Sequence, residues 1–206
     1  MANSTYKLIY FNVKARAEPI RFLFAVAGVP YEDRRVERAD WPALKEVMPW
    51  GKIPVLEVDG QTLAESTAIC RFLARRFKLT GANDLEAAKC DEYVDAVMDL
   101  RAGWRAFHFL EDEEKKAELK KQFLEVQVPA CFSKFEKILE KSGGVFLLGE
   151  TYSWADLHIA HTLSFFEETV SPDTLKGYPK LLKFKEAVFN IPQIKKWVEE
   201  RPKTNM

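Results

Sequence analysis

The chain has 206 residues, of which 47% are apolar, so it can form one large domain or two small ones with a well-buried core. Lys and Arg together number 31, as do Asp and Glu, and the formal net charge is therefore zero. This balance argues against nucleic acid or an anionic membrane as the main partner. No stretch approaches the ~18 uncharged apolar residues that a membrane span needs.

Cysteine usage and the first residues bear on the compartment. The three cysteines, Cys70, Cys90 and Cys131, are scattered along the chain and odd in number. This pattern is typical of free thiols in a reducing compartment and argues against a disulfide framework. Residues 1–5 contain no basic segment followed by an apolar run, which predicts that there is no signal peptide. We therefore expect a cytoplasmic protein.

The first third of the chain alternates between strand and helix patterns. The pattern predicts strands from Tyr6 to Phe11 and from Tyr31 to Val36, with a helix from Arg16 to Ala27 between them. Such a βαβ unit places its two strands parallel, with a right-handed crossover. A short helix is predicted from Trp41 to Val47.

Residues 50–66 are the most informative run. Ile53-Pro54 precedes an apolar strand, Val55 to Val58, and a proline is tolerated at a strand start because it need not donate a ladder hydrogen bond there. Asp59-Gly60 predicts a tight hairpin turn. A helix is predicted from Ser66 to Phe77, and the free N–H groups at its start attract a carboxylate. The run is therefore predicted to hold a small anionic peptide, within a thioredoxin-like order of elements.

Everything after a turn-rich stretch has helical patterns. Residues 79–84 are predicted to be a linker between a thioredoxin-like domain, 1–78, and an all-helical domain, 85–206. Ser153, with Asp156 three residues later, predicts a capping box with a structural role at a helix start. The other predicted helices of this domain run from about Glu86 to Leu110, Glu114 to Lys141, Leu181 to Phe189 and Gln193 to Glu200.

Tyr10 lies near the end of the first strand, where α/β layouts place their ligands. From its position alone, a tyrosine packed in the core is the more common case, and Tyr6 on the same strand is a competitor. The sequence segments that precede and follow it, taken in their order along the chain, favour a functional role for Tyr10. These segments comprise Tyr6-Lys7-Leu8-Ile9-Tyr10-Phe11-Asn12, Arg16-Ala17-Glu18, Ile20-Arg21, Tyr31-Glu32-Asp33, Ala39-Asp40-Trp41-Pro42, Gly51-Lys52-Ile53-Pro54, Trp154-Ala155-Asp156 and Arg201-Pro202-Lys203-Thr204.

This ordered set resembles the cytosolic glutathione transferases, and the nearest class is sigma, which includes the haematopoietic-type prostaglandin D synthases. The resemblance implies a thioredoxin-like domain followed by an all-α domain. It also implies an enzyme of detoxification or prostaglandin metabolism that adds glutathione to hydrophobic electrophiles. Prostaglandin D isomerase or peroxidase activity of the same site is a further implication.

The resemblance also implies roles for particular residues. In the family, the tyrosine matching Tyr10 donates a hydrogen bond to the glutathione sulfur, and the arginine matching Arg16 lies over the thiol. The residue matching Asp99 reaches the glutathione of the neighbouring subunit. The class usually has Gln where this chain has Glu65, and a carboxylate can still accept from the γ-glutamyl ammonium. The remaining positions implied to hold the tripeptide are Trp41, Lys45, Gly51, Lys52, Ile53, Pro54, Glu65 and Ser66.

The acceptor pocket is less well defined by the sequence. Its implied walls are also candidates for ordinary helix-core packing, and the sequence does not separate the two. Some sigma members hold a divalent cation at an aspartate pair, but Met98-Asp99 stands there in this chain, which argues against a metal. His158 and His161 have no evident third ligand. The implied pocket residues are Val13, Arg16, Trp104, Phe107, His158 and Thr162.

Asp91, Asp95 and Asp99 recur every four residues, so they share one helix face and repel one another unless a partner or cation neutralises them. A solvated face is one explanation; in the family this helix lies at the two-fold of a homodimer, which we therefore expect. Two other classes remain as alternatives to the enzyme. One is a non-enzymatic, crystallin-like or scaffold member of the fold. The other, a thiol–disulfide oxidoreductase, is disfavoured because the loop 12–16 has no cysteine.

Overall fold

The computed structural model describes residues 4–204 of the chain. They form two compact units, one comprising the residues up to Leu79 together with those from Ile191 onwards, the other comprising Thr80–Asn190. The sequence prediction assigned everything from residue 85 onwards to one helical domain. The structure instead groups the last helix with the first unit, where it packs against the first helix.

The first unit is built on a mixed four-stranded sheet with the order β2-β1-β3-β4. Strand β1 pairs parallel with β2 and antiparallel with β3, and β3 pairs antiparallel with β4. The predicted thioredoxin-like fold, followed by a helical unit, is thereby confirmed. The strands are β1 (Tyr6–Phe11), β2 (Glu32–Val36), β3 (Val55–Val58) and β4 (Gln61–Ala64).

The α-helices are numbered in chain order. Those grouped with the sheet are α1 (Glu18–Ala27), α2 (Trp41–Val47), α3 (Ser66–Arg76) and, near the end of the chain, α9. Those of the second unit are α4 (Asp84–His108), α5 (Glu113–Gln122), α6 (Val128–Lys141), α7 (Trp154–Thr169) and α8 (Pro179–Phe189), while α9 spans Pro192–Glu200. No helix within residues 4–204 is both long enough and apolar enough to cross a membrane.

The sheet core explains how α2 is held. Ile9, Val36 and Val55 form a fully or nearly fully buried cluster, and Leu44 and Met48 pack against it. Because Leu44 lies within α2 and Met48 directly follows it, this short helix covers one face of the sheet. That arrangement places α2 near the segment that enters β3.

Helix α1 begins at Glu18, two residues later than the predicted Arg16. Ala15 has a φ of 35°, which is outside the helical region, so the preceding residues form a loop. Pro19 lies in the first turn, where its missing N–H costs no hydrogen bond. The predicted stop is confirmed at Gly28, whose φ of 63° closes the helix.

The predicted single helix from Glu114 to Lys141 is wrong in its middle. Residues Phe123–Gln127 form a π-helical turn between α5 and α6. Pro129 near the start of α6 has no N–H to donate to the carbonyl four residues earlier, which favours a wider turn. Such a turn also fits the close approach to α4, where a Cβ on Gly103 would lie 2.0 Å from Oε1 of Gln127.

Two helix starts follow from local side chains. Helix α4 begins at Asp84, earlier than predicted, because Oδ1 of Asn83 accepts the backbone N–H of Glu86 at 3.0 Å. The capping box at the start of α7 is confirmed: the backbone N–H of Ser153 donates to Oδ2 of Asp156 at 2.7 Å. Oδ1 of the fully buried Asp156 also accepts the N–H of Leu147 at 2.8 Å, which supports its structural interpretation.

Candidate active site

The strand register brings three predicted site segments to one end of the sheet. Ile9 pairs with Val55, and Val55 pairs with Ala64, so these residues lie side by side across three strands. Because β1 and β4 run against β3, the residue after Ile9, the residue before Val55 and the residue after Ala64 are neighbours at that end. They are Tyr10, Pro54 and Glu65.

Tyr10 is 6% exposed, and its hydroxyl oxygen accepts the backbone N–H of Arg16 at 3.4 Å. A phenol hydroxyl has one hydrogen to donate and lone pairs to accept. The bond from Arg16 uses a lone pair and leaves the hydroxyl hydrogen available for a negatively charged acceptor. The structure therefore leaves Tyr10 free to act as a donor and brings the backbone N–H of Arg16 to its hydroxyl oxygen.

The loop between Tyr10 and α1 is held tightly by its backbone. The N–H of Val13 donates to the carbonyl oxygen of Phe11 at 2.7 Å, and the N–H of Glu18 donates to that of Lys14 at 3.1 Å. The carbonyl oxygen of Val13 accepts Nη1 of Arg21 at 2.8 Å. Both ends and the middle of this loop are thus connected to regular secondary structure.

Glu65 and Ser66 form the start of α3. Glu65 has a φ of 67° and a ψ of 111°, a conformation that residues other than glycine avoid and that clusters at functional sites. Its side chain makes no capping hydrogen bond, and Ser66 is 5% exposed. The first N–H groups of a helix lack partners within the helix and lie at its positive end. This end of α3 is suited to a carboxylate of a ligand.

The structure also brings α2 to the segment before β3. A Cβ on Gly51 would lie 3.7 Å from Cε and Cγ of Lys45, so the lysine side chain passes directly beside this glycine. The ring of Trp41 packs against that of Phe11, with 5.3 Å between centroids. The peptide bond between Ile53 and Pro54 is cis. Lys45 and Lys52, which follows Gly51 in the sequence, are both exposed and can bind an anionic ligand.

The proposed acceptor walls that belong to the helical unit are buried within it. Trp104 and Phe107 of α4 are 5% and 3% exposed, and the ring centroid of Trp104 lies 4.7 Å from that of Phe165. On α7, His158 is 3% exposed and Thr162 is fully buried, with its hydroxyl donating to the carbonyl oxygen of His158 at 3.0 Å. These contacts are those of helix-core residues, and an acceptor role for them stays a prediction.

The aspartate column lies on α4, where Asp95 and Asp99 are exposed and Asp91 is half-buried. Within residues 4–204, no three His, Cys, Asp or Glu side chains are arranged to hold a metal ion. The role predicted for Asp99 toward a neighbouring subunit stays a prediction.

The protein's own thiols are poorly suited to nucleophilic chemistry. Burial raises the pKa of Cys70, which is fully buried, well above its usual range. Burial also raises the pKa of both Cys90 and Cys131 to about 11. Because the thiolate is the reactive form, all three cysteines are poor nucleophiles at neutral pH. None of the three is therefore a candidate for the nucleophile of a thiol–disulfide oxidoreductase at neutral pH.

A buried ionic network beside the loop was not anticipated by the sequence reasoning. Arg21 is fully buried and pairs with Glu18, 1% exposed, at 3.0 Å and with Asp33 at 3.2 Å. Glu18 in turn accepts hydrogen bonds from Trp197 and Arg201. The spacing of three residues between Glu18 and Arg21 was a signal for the first pair, but nothing local indicated the two distant partners.

Known proteins are similar to this chain over nearly its whole length. Residues 6–75 match the family model of the glutathione S-transferase N-terminal domain, and residues 98–201 match that of the C-terminal domain. Glutathione S-transferase 1 of Ascaris suum is 43% identical over 97% of this chain and 98% of its own. Hematopoietic prostaglandin D synthase of Homo sapiens is 36% identical over 98% of each chain. A structure described as monomeric Na-GST-3 of Necator americanus is 37% identical with a TM-score of 0.87, covering 98% of this chain and 100% of its own.

The chain therefore belongs to the glutathione S-transferase family, as the resemblance predicted. It is a transferase, and its co-substrate is glutathione.

Proposed function

We propose that the Tyr10 hydroxyl stabilises the thiolate of bound glutathione, which then attacks a hydrophobic electrophile. The observation that supports this most directly is the N–H of Arg16 donating to the Tyr10 oxygen at 3.4 Å. That bond leaves the hydroxyl hydrogen for the sulfur. Arg16, in the same loop, adds positive charge near the thiolate.

The size of the effect can be bounded. A thiol with a pKa of about 8.5 is only a few per cent ionised at neutral pH. A hydrogen bond to a charged acceptor contributes about 1.5–3 kcal/mol, equivalent to lowering the thiol pKa by roughly one to two units. Because ionisation then saturates, the thiolate gain is a few tens of fold at most. Any larger acceleration comes from holding the second substrate against the sulfur.

The rest of the tripeptide is proposed to lie along the end of the sheet that carries Tyr10, Pro54 and Glu65. The γ-glutamyl carboxylate meets the first N–H groups of α3 and the hydroxyl of Ser66, while Glu65 accepts from the γ-glutamyl ammonium. The cysteinyl backbone pairs with the segment Gly51 to Pro54, with Lys52 beside it. The glycyl carboxylate meets Lys45 and the indole N–H of Trp41. The strand register and the contact of Lys45 with Gly51 support this arrangement.

The acceptor is proposed to be small, hydrophobic and electrophilic. In conjugation, the sulfur lone pair forms a C–S bond at the electrophilic carbon, and a leaving group such as halide departs with its bonding electrons. The proposed walls are Val13, Arg16, Trp104, Phe107, His158 and Thr162. Membership of the sigma class and prostaglandin D isomerase or peroxidase activity are part of the proposal, supported by the similarity to the human prostaglandin D synthase.

We also propose that the protein acts as a homodimer in the cytoplasm. Trp50 is 80% exposed and Val47 is 72% exposed, an apolar pair that a second copy would cover. The acidic column of α4 and the basic groove lined by Arg71, Arg75 and Arg76 of α3 offer opposite charges to such a copy. The scattered free cysteines support the compartment. Since the Necator americanus relative is described as monomeric, the oligomeric state needs its own measurement.

The experiment that tests the function combines calorimetric titration of glutathione with turnover of a panel containing aryl halides, enals and a prostaglandin endoperoxide. Binding together with turnover of at least one electrophile supports the enzyme. Binding without turnover of any electrophile favours the non-enzymatic scaffold. Tyr10→Phe is the matched control, because it removes one hydroxyl and leaves the proposed tripeptide contacts in place.

A further inference from the structure

Arg21 occupies an unusual position for a charged side chain. It is fully buried on α1, and a buried guanidinium must be paired and hydrogen-bonded to be tolerated. Its Nη1 donates to the Val13 carbonyl oxygen at 2.8 Å and to Oε2 of Glu18 at 3.0 Å. Its Nε and Nη2 donate to Oδ1 of Asp33 at 3.4 and 3.3 Å. One planar fork thus connects α1, β2 and the loop that follows β1.

Glu18 is the buried carboxylate that pairs with Arg21. It is 1% exposed and lies in the first turn of α1, where the helix dipole favours a negative charge. Its Oε1 accepts Nε1 of Trp197 at 2.8 Å and Nη1 of Arg201 at 2.6 Å, while Oε2 accepts Arg21. Because Trp197 lies on α9 and Arg201 directly follows that helix, this carboxylate connects the last helix to the first turn of α1.

The network meets the active site through the loop backbone. Val13, whose carbonyl Arg21 holds, lies three residues before Arg16, whose N–H donates to Tyr10. Between them, Ala15 has a φ of 35°, so the backbone is not helical there. The hydrogen bond from Arg21 to the Val13 carbonyl, backed by the ion pair with Glu18, adds a side-chain restraint to the backbone hydrogen bonds of the loop.

We propose that Glu18 and Arg21 are positioning residues, which hold the Val13 carbonyl and thereby keep the N–H of Arg16 against the Tyr10 hydroxyl. The hydroxyl hydrogen is then directed at the sulfur instead of rotating toward other acceptors. A donor on the phenol oxygen also polarises the hydroxyl and makes it a stronger donor in turn. This inference rests on the proposed role of Tyr10.

The test compares Glu18→Gln and Arg21→Lys with the wild type and with Tyr10→Phe. Gln keeps the shape of Glu18 but removes its charge, and Lys keeps the charge of Arg21 but cannot bridge three acceptors in one plane. Glu167→Gln is the matched control, because it breaks a half-buried ion pair with Lys185, at 2.6 Å, in the other unit. Each variant is measured for thermal unfolding, glutathione affinity, the ultraviolet titration of the bound thiol and the pH profile of turnover.

We expect Glu18→Gln and Arg21→Lys to raise the pKa of the bound glutathione thiol by roughly one unit, which lowers turnover at neutral pH about tenfold. Turnover should recover at alkaline pH, where the thiolate forms without help, and glutathione affinity should change far less. Glu167→Gln should lower the unfolding midpoint and leave the pH profile in place.

A purely structural network would give a different result: both variants would unfold at lower temperature while their pH profiles superimpose on the wild type, and the inference would be overturned. If both fail to fold, Trp197→Phe replaces them, since it removes the indole N–H from Glu18 and keeps an aromatic ring at that position. An unshifted pH profile in this variant overturns the inference as well. If the pKa of the bound thiol rises in Tyr10→Phe but in neither network variant, the positioning role is rejected and the proposed function is retained. If that pKa does not rise in Tyr10→Phe, the positioning role and the proposed function of Tyr10 are both rejected.

Discussion

The hydroxyl oxygen of Tyr10 accepts the backbone N–H of Arg16 at 3.4 Å, so a buried strand residue and the loop beyond it share one hydrogen bond. This relationship gives the hydroxyl a defined direction before any ligand arrives. A donor that is already oriented needs no reorganisation when charge develops on the acceptor. The thiolate stabilisation that we propose for this site depends on that orientation.

Replacing Tyr10 with Phe tests the donor directly. We expect Tyr10→Phe to raise the pKa of the bound glutathione thiol by roughly one to two units, because the hydrogen bond to the thiolate is lost. Turnover at neutral pH should fall, while glutathione affinity stays close to that of the wild type, since the tripeptide ends are held elsewhere. The thiolate absorbance in the ultraviolet measures the pKa. An unchanged pKa would transfer the role to Tyr6 or Arg16.

Replacing Glu65 with Gly or Ala separates backbone strain from ligand binding. Both variants should weaken glutathione binding by roughly 1–3 kcal/mol, because the γ-glutamyl ammonium loses a charged partner. They should lower saturated turnover much less, since this contact is similar in the ground and transition states. Calorimetric titration measures the loss, and unmoved affinity in both variants would contradict the placement of this end of the tripeptide.

The same two variants should differ in stability. Glu65 has a φ of 67°, which glycine adopts freely and alanine does not. Glu65→Gly should therefore exceed Glu65→Ala in free energy of unfolding by about 1 kcal/mol. Urea denaturation of the two variants side by side measures this difference. Equal stabilities would mean that the backbone relaxes at this position and stores no strain.

The cysteines should be dispensable. Burial raises the pKa of Cys131 to about 11, so its alkylation by iodoacetamide should be slow at neutral pH and accelerate about tenfold for each pH unit below that value. Cys131→Ala should leave glutathione transfer unchanged, because the reacting sulfur belongs to the co-substrate. Mass spectrometry follows the alkylation. Rapid alkylation at neutral pH, accompanied by loss of turnover, would revive the thiol–disulfide alternative.

The oligomeric state can be tested together with Asp99. We expect a dimer by light scattering at micromolar concentration, and we expect Asp99→Asn to weaken glutathione binding while the protein stays dimeric. The dimer should persist in this variant because one charge rarely dominates a large isologous interface. Glutathione binding should weaken because Asp99 is proposed to accept a hydrogen bond from the γ-glutamyl ammonium of the neighbouring site. Asp91→Asn, on the same helix face, is the control. A monomer that binds glutathione at full strength would contradict the proposal that Asp99 completes the binding site of a neighbouring subunit.

Local sequence determined much of the fold around the site. The strand from Tyr6 to Phe11, the strand from Val55 to Val58 and the start of α3 at Ser66 all lie where the pattern predicted them. The capping box of Ser153 and Asp156 was equally visible. These features depend on periodicity, turn chemistry and side chains only a few residues apart. A short stretch of sequence is therefore enough to predict each of them.

Only the tertiary structure decided the contacts between residues that are far apart in the sequence. Glu18 and Trp197 are 179 positions apart, and only folding shows that they share a hydrogen bond. The φ of Glu65 and the close approach of Gln127 to Gly103 likewise depend on what the rest of the chain requires of those positions. The physical reason is that a buried charge, a close helix approach or a strained backbone is stabilised by distant partners. The sequence by itself therefore determined the family and the order of the elements, and the folded chain decided how the Tyr10 hydroxyl is held in place.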